Sequence, residues 1–217
     1  SKLSNNKEQA AMIERVGRRI QAAVEKYMTD IGAASQLNGF NWEFKLIEDD
    51  NTVNAWCMPG GKVAFYTGIL PICQDEAGVA VVMGHEIAHA IANHGGERMS
   101  QGMLQQLGMS SLAVALGQNP TMTNQLLLQS IGIGSQIGML SFSRQHESEA
   151  DKIGLIFSSM AGYDPRVAPE FWKRMKAASG GQAPPEFLST HPSSDRRIND
   201  LNAQMPEAMK IYNQYKK

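Results

Sequence analysis

The segment His85-Glu86-Ile87-Ala88-His89 constrains this chain more than any other. It follows the apolar run Val79-Ala80-Val81-Val82-Met83, which reads as a buried helix from about Glu76 to His94. Asp75 serves as its N-cap, and Gly95-Gly96 as its stop. Positions i and i+4 share a helix face, so the two imidazoles converge on a single ion. Glu86 projects toward the open coordination position, where it can take a proton from an activated water. The alternative is a surface helix with two unrelated histidines. Two buried histidines and a glutamate without a shared partner would be costly, so the metal reading prevails.

A catalytic metal of this type takes a third protein ligand. His94, nine residues from His85, points away from the ligand face if the helix is continuous, and reads as a helix-end histidine favoured by the dipole. The segment Ser143-Arg144-Gln145-His146-Glu147-Ser148-Glu149-Ala150-Asp151 offers better candidates. Glu147 and Asp151 lie i, i+4 on one helix face, where two carboxylates repel unless a cation or separate partners relieve them. One carboxylate can bind the metal while the other accepts the outer N–H of a metal-bound histidine. Glu149 is the rival ligand and His146 a weaker one.

The rest of the chain reads as a mostly helical α+β domain over residues 1–217 with a small N-terminal sheet over the helix that carries the histidines. Ile13, Val16, Ile20, Val24 and Tyr27 form one stripe on a helix within an N-terminal unit of residues 1–40. Within a core spanning 41–204, Trp42, Phe44 and Leu46 alternate as a strand. Val53–Met58 and Lys62–Thr67 flank a Pro59-Gly60-Gly61 turn as a hairpin. Ser141 or Ser143 caps a helix to about Met160, and Asp164-Pro165 starts another. A Gly/Pro-rich loop follows at Ser179–Pro185, with closing helices from about Ser193 and a C-terminal helix over 205–217. The stretch from Met99 to Leu140 is rich in Met, Gln, Leu and Gly. It reads first as a helical hairpin on the core, and second as a lid or a membrane- or partner-facing surface.

Composition narrows the function classes. Twenty Lys+Arg against 21 Asp+Glu give a net charge of -1. No basic stripe is visible, so nucleic acid is not an expected partner. The apolar stretch at 126–142 is too short and too polar to span a membrane. Two cysteines, Cys57 and Cys73, leave a single bridge open and exclude a four-Cys metal site.

Three separated motifs, the HExxH at His85, the SRxxExxAD at Ser143 and the HPxxxxRI at His191, together resemble a family of zinc metallopeptidases. Its branches include the HtpX, CAAX prenyl protease, BepA/LoiP and OMA-type enzymes, and the resemblance covers about residues 50–200. It implies a zincin-like metallopeptidase domain of gluzincin type. One Zn2+ per chain would be held by His85, His89 and Glu147, with Glu86 as general base, and Asp151 would pair with a zinc-bound histidine. It places Glu147, not Glu149, as the third ligand. His191 and Arg197 match the family's later histidine and arginine. Both can stabilise the oxyanion of a tetrahedral intermediate, or His191 can bind the zinc at rest as a latch. Val53-Asn54-Ala55-Trp56 resembles the edge strand along which zincins lay substrate, so Asn54 and Ala55 are candidate contacts for an extended polypeptide. The expected activity is endopeptidase action on unfolded or misassembled proteins, and the competing expectation is a latched or non-proteolytic chaperone or assembly factor of the cell envelope. The chain begins at Ser1, and with the membrane-spanning branches excluded the analogy points to the compact envelope type. The expected location is therefore the bacterial periplasm, with a lipid anchor or surface association at the membrane.

Overall fold

A computed structural model describes residues 2–97, 142–180 and 185–216. The Met-rich stretch, including the hairpin or lid read for it, lies outside the described residues.

Helix α1 (Lys7–Asp30) is capped by Asn6, whose side chain accepts from Gln9 N–H. Its stripe of Ile13, Val16, Ile20 and Val24 is fully buried. Strands β1 (Glu43–Ile47), β2 (Ala55–Met58) and β3 (Lys62–Tyr66) form one sheet in the order β1-β3-β2. The expected hairpin is present, since β2 and β3 pair antiparallel with Ala55 opposite Phe65. β1 joins the other side of β3 in parallel, with Phe44 opposite Val63. Phe44, Leu46, Val63 and Phe65 carry the sheet's buried face. The sheet packs on α1 and on the helix bearing the HExxH segment, as expected. The fold is therefore α+β and mostly helical.

The short helix α2 (Leu70–Cys73) leads into α3 (Glu76–Ile91). Asp75 caps α3 by accepting from Gly78 N–H, and every residue from Gly78 to His89 is buried. The helix stops three residues earlier than the sequence suggests. Asn93 takes φ +56°, the left-handed conformation that asparagine tolerates, and a new helical turn begins at residues 94–97. The Gly95-Gly96 stop therefore lies past the true end.

Helix α4 (Arg144–Met160) starts at Ser143, whose hydroxyl accepts from His146 N–H. It crosses α3 backbone to backbone at Gly84 and Gly154. A Cβ on Gly84 would sit 2.7 Å from Gly154 O, and one on Gly154 would sit 2.7 Å from His85 N. This contact brings the α4 carboxylates beside the α3 histidines. Helix α5 (Val167–Ala178) begins two residues later than expected. Asp164 does not cap it and instead closes a local turn with Arg166. The short helix α6 (Glu186–Thr190) precedes α7 (Asp195–Tyr215), which runs unbroken through the boundary expected near 205. Both cysteines are free thiols.

Candidate metal centre

All five histidines of the chain converge on one buried region at the C-terminal end of α3. His85 and His89 come from α3, as their i, i+4 spacing dictates. Glu147 arrives from the first turn of α4, and His191 from the cap of α6. His85, His89, Glu147 and His191 each offer one ligand atom, and these atoms all lie within 4.8 Å of one another. His89 Nε2 is 3.1 Å from His85 Nε2 and 3.1 Å from Glu147 Oε1. His191 Nδ1 is 2.9 Å from Glu147 Oε1 and 3.2 Å from His85 Nε2. Tetrahedral zinc with bonds of about 2.0–2.1 Å would hold its ligand atoms about 3.3 Å apart. The residues fit such an ion in number, chemistry and spacing.

Glu86 stands over this cluster. Its Oε1 is buried, makes no hydrogen bond to the described residues, and lies 3.4 Å from His191 Nε2. Burial pushes the Glu86 carboxyl up.

Asp151 and Arg197 lie behind the cluster. Asp151 Oδ1 is 3.1 Å from His85 Nδ1, so a carboxylate faces the outer nitrogen of a candidate ligand. Arg197 grips Asp151 through two nitrogens, Nε to Oδ2 and Nη2 to Oδ1, the latter at 2.7 Å. It also pairs with Glu147 Oε2 and lies 3.5 Å from the centre of the Trp172 ring. Burial alone would raise the Glu147 and Asp151 carboxyls, yet Arg197 holds both below the ordinary range, Glu147 well below. Burial also opposes charge on His85, but the two carboxylates outweigh it and raise His85 to about 9. His89 has no such surplus, and burial drives it well below its usual value. Arg197 is thus engaged beneath the cluster by two carboxylates of α4.

Asn54 and Ala55 lie at the start of β2, an edge strand whose only partner among the described residues is β3. Asn54 O accepts from Tyr66 N–H, while the Asn54 side chain accepts from Ala55 N–H and donates to Glu186. Phe187 N–H donates to Val53 O. The segment that carries His191 therefore also rests against the beginning of the sheet edge.

Sequence reasoning missed His94. On a continuous helix it would point away, but the turn at Asn93 swings its ring against His89. His94 Nδ1 lies 2.9 Å from His89 Nδ1, and burial pushes His94 down. The signal was present in Asn93, a residue suited to the left-handed turn. Trp172, which floors the site under Arg197 and His85, carried no local sequence signal.

Comparison with known proteins agrees with this geometry. The model of peptidase family M48 matches residues 14–205, and the chain belongs to that family. The mitochondrial metalloendopeptidase OMA1 of Schizosaccharomyces pombe is 39% identical over 187 residues, 85% of this chain and 53% of the relative. The human metalloendopeptidase OMA1, mitochondrial, is 35% identical over 188 residues, 84% of this chain and 35% of that protein. The beta-barrel assembly-enhancing protease of Escherichia coli is 32% identical over 167 residues, 73% of this chain and 33% of that protein. The chain spans about half the length, or less, of these curated relatives.

These names overturn the bacterial-envelope location expected from the sequence. The relatives at 38–39% identity are mitochondrial proteins of eukaryotes. The expectation failed because the motifs behind it encode the metal chemistry shared by every branch. Nothing in that chemistry depends on compartment.

Proposed function

We propose that this chain is the catalytic domain of a zinc-dependent endopeptidase. The observation that carries the reading is the buried His85–His89–Glu147 cluster with a Glu86 oxygen beside it that makes no hydrogen bond to the described residues. Bound zinc would supply the positive charge that acidifies an attacking water and polarises a peptide carbonyl. Glu86 takes the proton from that water and returns it to the leaving amine. Asp151 fixes the proton of His85 on Nδ1, so that Nε2 faces the ion. Arg197 aligns Glu147 and Asp151, and His191, once withdrawn from the cluster, is placed to donate to the developing oxyanion. An extended polypeptide adds along the outer edge of β2, unpaired among the described residues, past Asn54 and Ala55, a mode that selects unfolded chain over folded domains. The mitochondrial names of the relatives favour the same compartment for this protein.

A second reading is favoured by one observation. His191 Nδ1 occupies the fourth corner of the cluster, where a water must enter. In this reading the protein is latched, or holds clients without cleaving them. Metal content and cleavage of unfolded casein, measured on the wild type and Glu86→Gln, separate the readings. One zinc in each, with cleavage by the wild type alone, is the expected result. Glu86→Gln should reduce turnover by about 10²- to 10⁴-fold. Zinc in both with cleavage in neither favours the latched reading, and His191→Ala should then release activity. No zinc in either overturns both.

A further inference from the structure

A second polar arrangement lies on the far side of the His89 ring from the ligand cluster. His89 directs Nε2 toward Glu147, and its Nδ1 meets His94 Nδ1 at 2.9 Å. His94 Nε2 in turn lies 3.3 Å from Glu149 Oε2. His94 is 2% exposed, whereas the Glu149 side chain reaches solvent. The ring of His146 stacks on that of His94, 4.5 Å between centres and 16° between planes, and is itself tied to Glu97 at 3.0 Å. The His94 ring cannot turn without losing this stack.

The proton positions follow from chemistry. A histidine that offers Nε2 to a cation must keep its proton on Nδ1. Two nitrogens 2.9 Å apart share one proton, so His94 Nδ1 must be the acceptor. The proton of a neutral His94 then resides on Nε2, where the Glu149 carboxylate accepts it. One arrangement satisfies all three residues.

We propose that His94 is a positioning residue for the metal centre. It accepts the outer N–H of His89, fixes the tautomer and tilt that present Nε2 to the ion, and is anchored by Glu149. The inference rests on the reading of His85, His89 and Glu147 as a zinc site. His85 receives its outer partner directly, as the Asp151 carboxylate. His89 receives its own through an intervening imidazole, because the turn at Asn93 brings His94 to a place that no carboxylate of the described residues reaches. Glu149, the rival ligand of the sequence reading, thereby acquires a different task.

The test measures the zinc dissociation constant by chelator competition for the wild type, His94→Leu, His94→Asn and Glu149→Ala, with circular dichroism on each. His94→Leu should bind zinc about 10- to 100-fold more weakly. His94→Asn should recover most of that loss, because its amide oxygen can accept from His89 where Nδ1 did. Glu149→Ala, a surface change that leaves the fold intact, should weaken binding in the same direction by less. If His94→Leu does not fold, nitrogen NMR of the imidazoles in the zinc-loaded wild type decides. Protons on His89 Nδ1 and His94 Nε2 support the proposal, and a His94 proton on Nδ1 overturns it. A folded His94→Leu with wild-type affinity also overturns it, as does an Asn variant as weak as Leu, which would mark His94 as a space filler. Those results leave the zinc reading standing. A wild type that binds no zinc removes both.

Discussion

Helix α3 belongs to two different interiors. Its first half packs Val79, Ala80, Val82 and Met83 into the apolar cluster that also holds Ile13, Val16, Ile20, Phe44 and Phe65. Its second half enters a region of five histidines, Glu86, Glu147, Asp151 and Arg197, all nearly as buried as the apolar core. The first interior gains stability from area removed from water, and many side chains share the task. In the second, the charged groups are tolerable chiefly because they satisfy one another, with Glu86 Oε1 left without a hydrogen bond to the described residues. Glu147 and Asp151 face Arg197, His85 faces Asp151, and His89 faces His94. The surplus of ligand atoms at its centre is what a cation would complete.

The largest effect should come from breaking that mutual satisfaction. Arg197→Met leaves Glu147 and Asp151 buried without their cation. Loss of one partner of such a network costs about 3–5 kcal/mol. Thermal unfolding with chelator should show that loss, and added zinc should recover part of it, because the metal supplies positive charge beside Glu147. The matched control lies in the other interior. Ile20→Ala, in the stripe of α1 under the sheet, should cost about 2–5 kcal/mol, and the loss should be the same with zinc or chelator. If zinc rescues both variants or neither, the two interiors are not distinct in the way described.

Between the two interiors lies the Gly84–Gly154 crossing, which is expected to couple them. A methyl on Gly154 would press against His85 N and the Gly84 carbonyl carbon, backbone atoms that cannot step aside. Gly154→Ala should cost about 1–3 kcal/mol through overpacking. It should also weaken zinc binding, by moving Glu147 on α4 away from the α3 histidines. A variant that loses stability but keeps full zinc affinity would show that the crossing serves packing alone.

The apolar interior was the more legible in the sequence. Period-3.6 and period-2 patterns placed α1, β1 and the β2–β3 hairpin, because burial of a stripe or an alternating face leaves a local trace. His85, Glu86 and His89 were legible for the same reason, since one helix sets their spacing. Glu147 and Asp151 could be paired on one face of α4, but their meeting with α3 depends on a glycine contact 70 residues apart in sequence. The end of α3 was misplaced because two glycines outweighed Asn93, and that error hid His94. Arg197 was assigned to the oxyanion from the resemblance. Its place between Trp172, Asp151 and Glu147 depends on three helices and leaves no local trace. A mixed sheet was likewise beyond local pattern, since the parallel pairing of β1 with β3 needs a partner far along the chain.

The smallest expected effect belongs to the opposite end of α3, where charge meets solvent in the ordinary way. Glu76, in the first turn of the helix, accepts from Arg15 at 2.8 Å and from the Tyr163 hydroxyl at 3.1 Å. Partial burial would raise its carboxyl, but these two partners more than offset it and hold the folded value below the usual one. A carboxyl depressed by folding contributes stability above its unfolded value, and that contribution disappears as pH falls through the folded value. Glu76→Gln should therefore lower the melting temperature slightly at pH 7, and the difference from wild type should shrink as pH falls through the folded value of Glu76. Because this end lies outside the ligand cluster, zinc should leave the difference unchanged. A Glu76→Gln loss that grows on zinc removal would mean that the two ends of α3 are coupled through the helix, and the division between its interiors would have to be redrawn.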